Sequence, residues 1–179
     1  LKLVQHSSAE RIAVLLSGDI GLFSGATKLR NLLKDYHVEY ISGISSFVYF
    51  MNKIGKSYEN TKMMSLHGRN DDFVKAVNEN ESVFMLLGGN NTVESVCRKL
   101  VSHGLGDVDI YVGENLSYKN ENITTTNAHN AAETEFEPLS VMLAENRNFH
   151  KNGLCISDES FLRGNVPMTK SEVRAISVS

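Results

Sequence analysis

The chain has 179 residues, 41% of them hydrophobic and 22% charged, enough for one domain of ordinary size or two small ones around a real core. Thirteen glycines, two prolines and 8% aromatic residues exclude collagen-like and low-complexity disordered chains. Eighteen Lys and Arg against 21 Asp and Glu leave a formal charge of −3, so no global field draws in a nucleic acid or an anionic membrane, and neither is expected as a partner. Cys97 and Cys155 form neither a C-x-x-C pair nor a dense disulfide framework, so reduced thiols and a cytoplasmic location are expected. No apolar run approaches the roughly 18 residues that span a bilayer, and Leu1-Lys2-Leu3-Val4-Gln5-His6 lacks a signal-peptide core.

Short apolar runs alternate with segments of helical period, the pattern of an α/β fold. Ala13-Val14-Leu15-Leu16 reads as a first strand, followed by the glycine loop Ser17-Gly18-Asp19-Ile20-Gly21-Leu22-Phe23-Ser24-Gly25 and a helix carrying Ala26, Leu29, Leu32, Leu33 and Tyr36. Val38-Glu39-Tyr40-Ile41 reads as a second strand. It leads through Ser42-Gly43-Ile44-Ser45-Ser46, where a serine caps a helix with Phe47, Phe50, Met51 and Ile54. Lys62-Met63-Met64-Ser65-Leu66 is a third strand closed by His67-Gly68-Arg69, and Asp71-Asp72 open the next helix. Ser82-Val83-Phe84-Met85-Leu86-Leu87 is a buried strand. After Gly88-Gly89-Asn90-Asn91, Thr92 caps a helix with Val93, Val96, Cys97, Leu100 and Val101 on one face, and Gly104 ends it. Three alternating runs at 108–112, 122–126 and 139–143 predict antiparallel strands and a mixed sheet in the second half. Residues 146–157 read as a polar linker, and Thr169-Lys170-Ser171-Glu172 has the spacing of a capping box.

The loop at 17–25 is the most informative stretch. Its glycines let a ligand approach the backbone, and Asp19 offers an acceptor for a ribose hydroxyl or an amine; taken alone, such a loop more often is a tight turn capped by its own Asp. Neither G-x-G-x-x-G nor G-x-x-x-x-G-K-[ST] is present, which removes the Rossmann fingerprint and the P-loop. His67 and Arg69 sit at a strand end, where open α/β sheets place ligands, and Arg69 can pair bidentately with a carboxylate or simply face water. Gly88-Gly89-Asn90-Asn91 holds the same kind of position, as a polar-ligand site or plain turn chemistry. The histidines at 6, 37, 67, 103, 129 and 150 have no metal-binding spacing, and no G-x-S-x-G elbow occurs, so no metal site and no hydrolase are expected. Glu114, Asn115 and Glu121 read mainly as surface residues.

Taken in order, Leu15-Leu16-Ser17-Gly18-Asp19-Ile20-Gly21-Leu22-Phe23-Ser24, Gly43-Ile44-Ser45-Ser46, Ser65-Leu66-His67-Gly68-Arg69 and Val112-Gly113-Glu114-Asn115-Leu116 resemble the tetrapyrrole methylases over residues 11–145. Within that family the Ser-Leu-His-Gly-Arg segment is similar to the branch that methylates C5 of the corrinoid ring in cobalamin biosynthesis. The segments 156–164 and 166–175 resemble the opening of a decarboxylating C15-methyltransferase, found fused behind the C5 enzyme in some organisms. Ile20 and Ser42 stand where the family usually has proline, and the family's opening strand and Gly-Pro-Gly loop have no counterpart here.

The resemblance implies an α/β, two-domain fold with mixed sheets, its first domain lacking the opening strand. The implied divisions are an N-terminal α/β domain at 1–60, a second at 61–145, and at 146–179 a linker with the start of a following methyltransferase domain. It implies S-adenosylmethionine as cofactor, with Gly18, Asp19, Gly21 and Leu22 at its methionine and ribose, Ser45 and Ser46 contacting it from the next loop, and Leu87 and Gly88 beside the adenine. His67 and Arg69 would face a corrinoid substrate, and no residue is implied as a covalent nucleophile. A second copy of the chain and a fused C15-methyltransferase domain are the other implied partners. A non-catalytic assembly module, a diphthine synthase and an earlier corrinoid methylase are the rival readings.

Overall fold

The computed structural model describes residues 4, 6–67 and 72–150. Its centre is one five-stranded mixed sheet built from β1 (Lys62–Ser65), β2 (Ser82–Leu86), β3 (Asp109–Glu114), β4 (Asn122–Asn127) and β5 (Ser140–Glu145), in the order β1-β2-β5-β3-β4. β1 and β2 are parallel, while β5 lies antiparallel between β2 and β3, and β4 pairs antiparallel with β3 at the edge. All five strands lie where the apolar runs predict them after residue 60.

Period-two alternation sends the strand side chains to two faces. On one face Met64, Val83, Met85, Ile110, Val112, Met142 and Ala144 meet three helices: α3 (Phe73–Glu79), α4 (Val93–Ser102) and α5 (Ala128–Ala132). The other face presents Phe84, Val141 and Leu143 to Phe47, Phe50 and Met51 of α2 (Ser46–Lys53). Phe84 meets Phe47 edge-on at a centroid distance of 4.8 Å. Gly113 on β3 is the matching concession: a Cβ there would stand 2.6 Å from the Phe50 ring, so only glycine admits that ring onto the sheet.

Local chemistry explains the helix ends. Ser45 Oγ accepts the Val48 N–H, Asp72 accepts from Lys75 N–H, and Thr92 and Ser95 close a reciprocal capping box at the start of α4. α4 buries Val93, Val96, Cys97 and Leu100, with Val101 partly buried against the same core, and Gly104 takes a φ of 78° just beyond its end.

Four expectations need correction. Ala13-Val14-Leu15-Leu16 and Val38-Glu39-Tyr40-Ile41 do not form strands; Leu15 is 92% and Ile41 78% exposed, and among the described residues no strand lies beside either run to satisfy its backbone. The helix after the glycine loop, α1 (Ala26–Leu32), ends before Tyr36. Residues 146–150 are not a free linker: Asn146 is buried, its Nδ2 donates to the Val77 carbonyl and its N–H to that of Glu81, while the His150 N–H reaches the Asn78 carbonyl. The short α5, capped by Asn127 and burying Ala128, Ala131 and Ala132, has no counterpart in the sequence reading. The rest of the expected linker and the C15-like segment, from residue 151 on, lie outside the described residues, as do Gly68, Arg69 and Asp71.

Candidate functional site

The glycine loop and the serine loop come together backbone to backbone. Gly18 takes a φ of 73°, and a Cβ added there would lie 3.6 Å from Ser45 Cα and 3.8 Å from the Ile44 carbonyl oxygen. From the other side, a Cβ at Gly43 would stand 2.6 Å from the Gly18 carbonyl oxygen, which a real side chain cannot tolerate. Asp19 Oδ1 accepts the Gly21 N–H at 2.5 Å, so this carboxylate shapes its own turn. Leu22 anchors the loop on the apolar cluster under α2. Ser45 spends its hydroxyl on the cap, and Ser46 begins the helix half-buried.

His67 and Gly88 form a second meeting point, at the carboxyl ends of the parallel strands β1 and β2. The imidazole lies directly against Gly88, where any Cβ would overlap it. Gly88 and Asn91 exchange backbone hydrogen bonds at 3.3 Å, Asn91 Nδ2 donates to the Leu66 carbonyl at 2.7 Å, and the Leu66 N–H donates to Leu86. These bonds pin the two strand ends together. Leu87 packs partly buried on the α3 and α4 side.

α2 lies across the other face of the sheet. Its C-terminal neighbour Lys56 binds Glu145, opposite Ser82 at the start of β2, while Phe47 in its first turn lies on Phe84 in mid-strand. Further along the helix, Phe50 lies against Gly113 of β3, and Lys53 reaches Glu121 in the loop beyond β3.

Two carboxylates expected at the surface are structural. Glu114 is 6% exposed and accepts from Asn122 Nδ2 at 2.7 Å and the Glu137 N–H at 2.9 Å. Glu121 gathers the Ser117 N–H at 2.7 Å, the Tyr49 hydroxyl at 2.8 Å and the Lys53 ammonium at 2.9 Å. The Ser117 N–H, with Lys53 and Tyr49, holds its pKa down to about 2, and the same bond to Glu121 raises Lys53 above its ordinary value. The i, i+4 spacing of Tyr49 and Lys53 was the available signal, although the partner lies 72 residues from Tyr49. Burial pushes the Cys97 thiol up to about 12, as an inert core residue.

Chemically, these loops offer backbone donors, short side chains and a histidine, an arrangement that binds and orients. Against that geometry, the sequence profile of the tetrapyrrole (corrin/porphyrin) methylases matches residues 3–132. The chain belongs to the tetrapyrrole methylase family. It is 33% identical over 142 residues to a probable cobalt-precorrin-7 C(5)-methyltransferase of Methanocaldococcus jannaschii, covering 76% of this chain and 65% of that protein. Over 148 residues it is 29% identical to the cobalt-precorrin-7 C(5)-methyltransferase of Salmonella typhimurium, covering 83% of this chain and 66% of that one. The chain thus spans about two thirds of the length of these curated relatives. Among solved structures, a uroporphyrin-III C-methyl transferase from Thermus thermophilus, complexed with S-adenyl homocysteine, superposes with a TM-score of 0.56 at 18% identity, over 72% of this chain and 60% of that one. The mixed α/β sheet is that of this methylase family, and no described helix is long and apolar enough to cross a membrane.

Proposed function

We propose that this tetrapyrrole methylase catalyses S-adenosylmethionine-dependent methylation of C5 of a corrinoid ring. The observation that carries the reading is the 33% identity over 142 residues to a relative named for that reaction, supported by the second relative of the same name. The cofactor half rests on a fold neighbour complexed with S-adenyl homocysteine and on the glycine and serine loops that meet at Gly18 and Ser45. At Gly18 a Cβ would be strained by the positive φ, and at Gly43 and Gly88 it would strike the Gly18 carbonyl or the His67 ring, so glycine is what lets these loops pack closely together.

In this reading Gly18, Asp19, Gly21 and Leu22 take the methionine and ribose side, Ser45 and Ser46 contact the cofactor from the α2 end, and Leu87 with Gly88 flank the adenine. When bound, S-adenosylmethionine would supply an electrophilic methyl group on a sulfonium. The chain's contribution is alignment: loops pinned at both meeting points hold the two reactants in line, which lowers the entropic part of the barrier. His67, fixed against Gly88, and Arg69 would bind the carboxylate side chains of the macrocycle.

The test is transfer of an isotopically labelled methyl group from S-adenosylmethionine to cobalt-precorrin-7, with the labelled position read by NMR. Label at C5 is the expected result. Label at another ring carbon would assign a different methylase of this fold. Cofactor binding without transfer would favour the non-catalytic module.

A further inference from the structure

We propose that Glu121 is a positioning residue for the cofactor loops, acting through Tyr49 and Lys53 to fix the helix that begins at Ser45 and Ser46; this rests on the cofactor reading above. Three observations converge on it. The first is the hub itself. Oε2 accepts from the Ser117 N–H and the Tyr49 hydroxyl, and Oε1 receives the Lys53 ammonium, so one carboxylate ties two successive turns of α2 to the loop between β3 and β4. Lys53 also lies 5.3 Å from the centre of the Tyr49 ring, which packs the three side chains into one unit.

The second observation is the state of the loop. Asn115 and Ser117 both sit at positive φ, 47° and 71°, a region that costs a residue with a Cβ, and Asn115 Nδ2 is buried without a hydrogen-bond partner. Such a backbone persists only when its surroundings hold it. Glu121 supplies that restraint, since its side chain grips the Ser117 N–H and its own N–H closes onto the Tyr118 carbonyl.

The third observation is where the restraint leads. The Tyr49 N–H donates to the Ser45 carbonyl and the Val48 N–H to the Ser45 hydroxyl, so the residue held by Glu121 is one bond from the serine that caps the helix. Ser45 in turn abuts Gly18. Leu22 of the glycine loop and Leu116 of the strained loop pack on the same Phe50 and Phe84 cluster. A shift of Glu121 is therefore transmitted by contacts to both cofactor loops, while the carboxylate itself touches neither.

A double-mutant cycle with S-adenosylhomocysteine as the titrated ligand tests this, combined with amide hydrogen exchange of the ligand-free chain. Tyr49→Phe and Glu121→Ala should each weaken binding by about fivefold or more, and the double variant should be no weaker than Glu121→Ala alone, because both remove one linkage. Glu121→Gln, which still accepts from Ser117 and Tyr49, should recover most of the affinity. In the exchange experiment Glu121→Ala should speed the Val48 and Tyr49 amides and leave Val96, in the separately capped α4, unchanged. Strictly additive losses in the cycle, or unchanged exchange at Val48 and Tyr49, would overturn the proposal. If the wild-type chain bound no S-adenosylhomocysteine, the cofactor reading would fall, and the exchange result alone would decide whether Glu121 positions the Ser45 end of α2.

Discussion

Gly43 shows how one missing side chain joins two loops. Its hydrogen faces the Gly18 carbonyl oxygen in a gap that a methyl group cannot enter, and the obstructing atom is backbone, so relief requires the loops to part. Gly43→Ala is expected to cost about 1–3 kcal/mol through overpacking, and to weaken S-adenosylhomocysteine binding more than it lowers the melting temperature. Thermal melts alongside calorimetric titration check this; an unchanged affinity would mean that the Gly18 and Ser45 contact is irrelevant to the cofactor. At this scale the sequence revealed residue types but not their partners. Asp19 was legible as a loop acceptor, yet which donor it takes depends on local backbone geometry, and it takes Gly21. Glu114 and Glu121 read as surface carboxylates because their partners, Glu137 and Tyr49, are distant in sequence.

Among the elements, α4 was the most legible, because its cap, its apolar period and its terminating glycine all sit within one short window. Thr92→Ala should cost about 1 kcal/mol, since the Ser95 N–H loses its acceptor and the capping box opens. Urea unfolding of the variant should show that loss as a lower midpoint with an unchanged slope. The strands after residue 60 were legible from their own apolar or alternating runs, with β2 and β5 buried along most of their length. The runs at 13–16 and 38–41 have strand composition without a neighbouring strand in the described structure, and composition cannot supply the missing hydrogen bonds. α5 escaped notice for the opposite reason: five residues rich in alanine show no period, and packing against α4 rather than propensity makes them helical.

For the whole molecule, the order β1-β2-β5-β3-β4 places the last strand in the middle of the sheet, a long-range pairing that no local pattern encodes. α2 and the sheet are joined across that topology by Glu121, and the join has a pH signature. Its carboxyl is held at about 2 against an ordinary 4.5, so the folded state prefers the ionised form. That contribution is complete above about pH 4.5 and is lost as the pH falls toward 2. Melting temperatures of the wild type and Glu121→Gln should therefore differ most near neutral pH and converge on acidification; a gap that stays constant down to pH 2 would contradict the ion-pair role.

The central claim is that the loops around Gly18, Ser45 and Gly88 form a cofactor site. Isothermal titration of this chain with S-adenosylhomocysteine tests it most directly. Saturable binding of one ligand per chain, weakened by Asp19→Ala and by Gly43→Ala and left intact by Thr92→Ala, is the predicted result. Absence of binding by a folded chain, or binding that none of these loop substitutions disturbs, would contradict it.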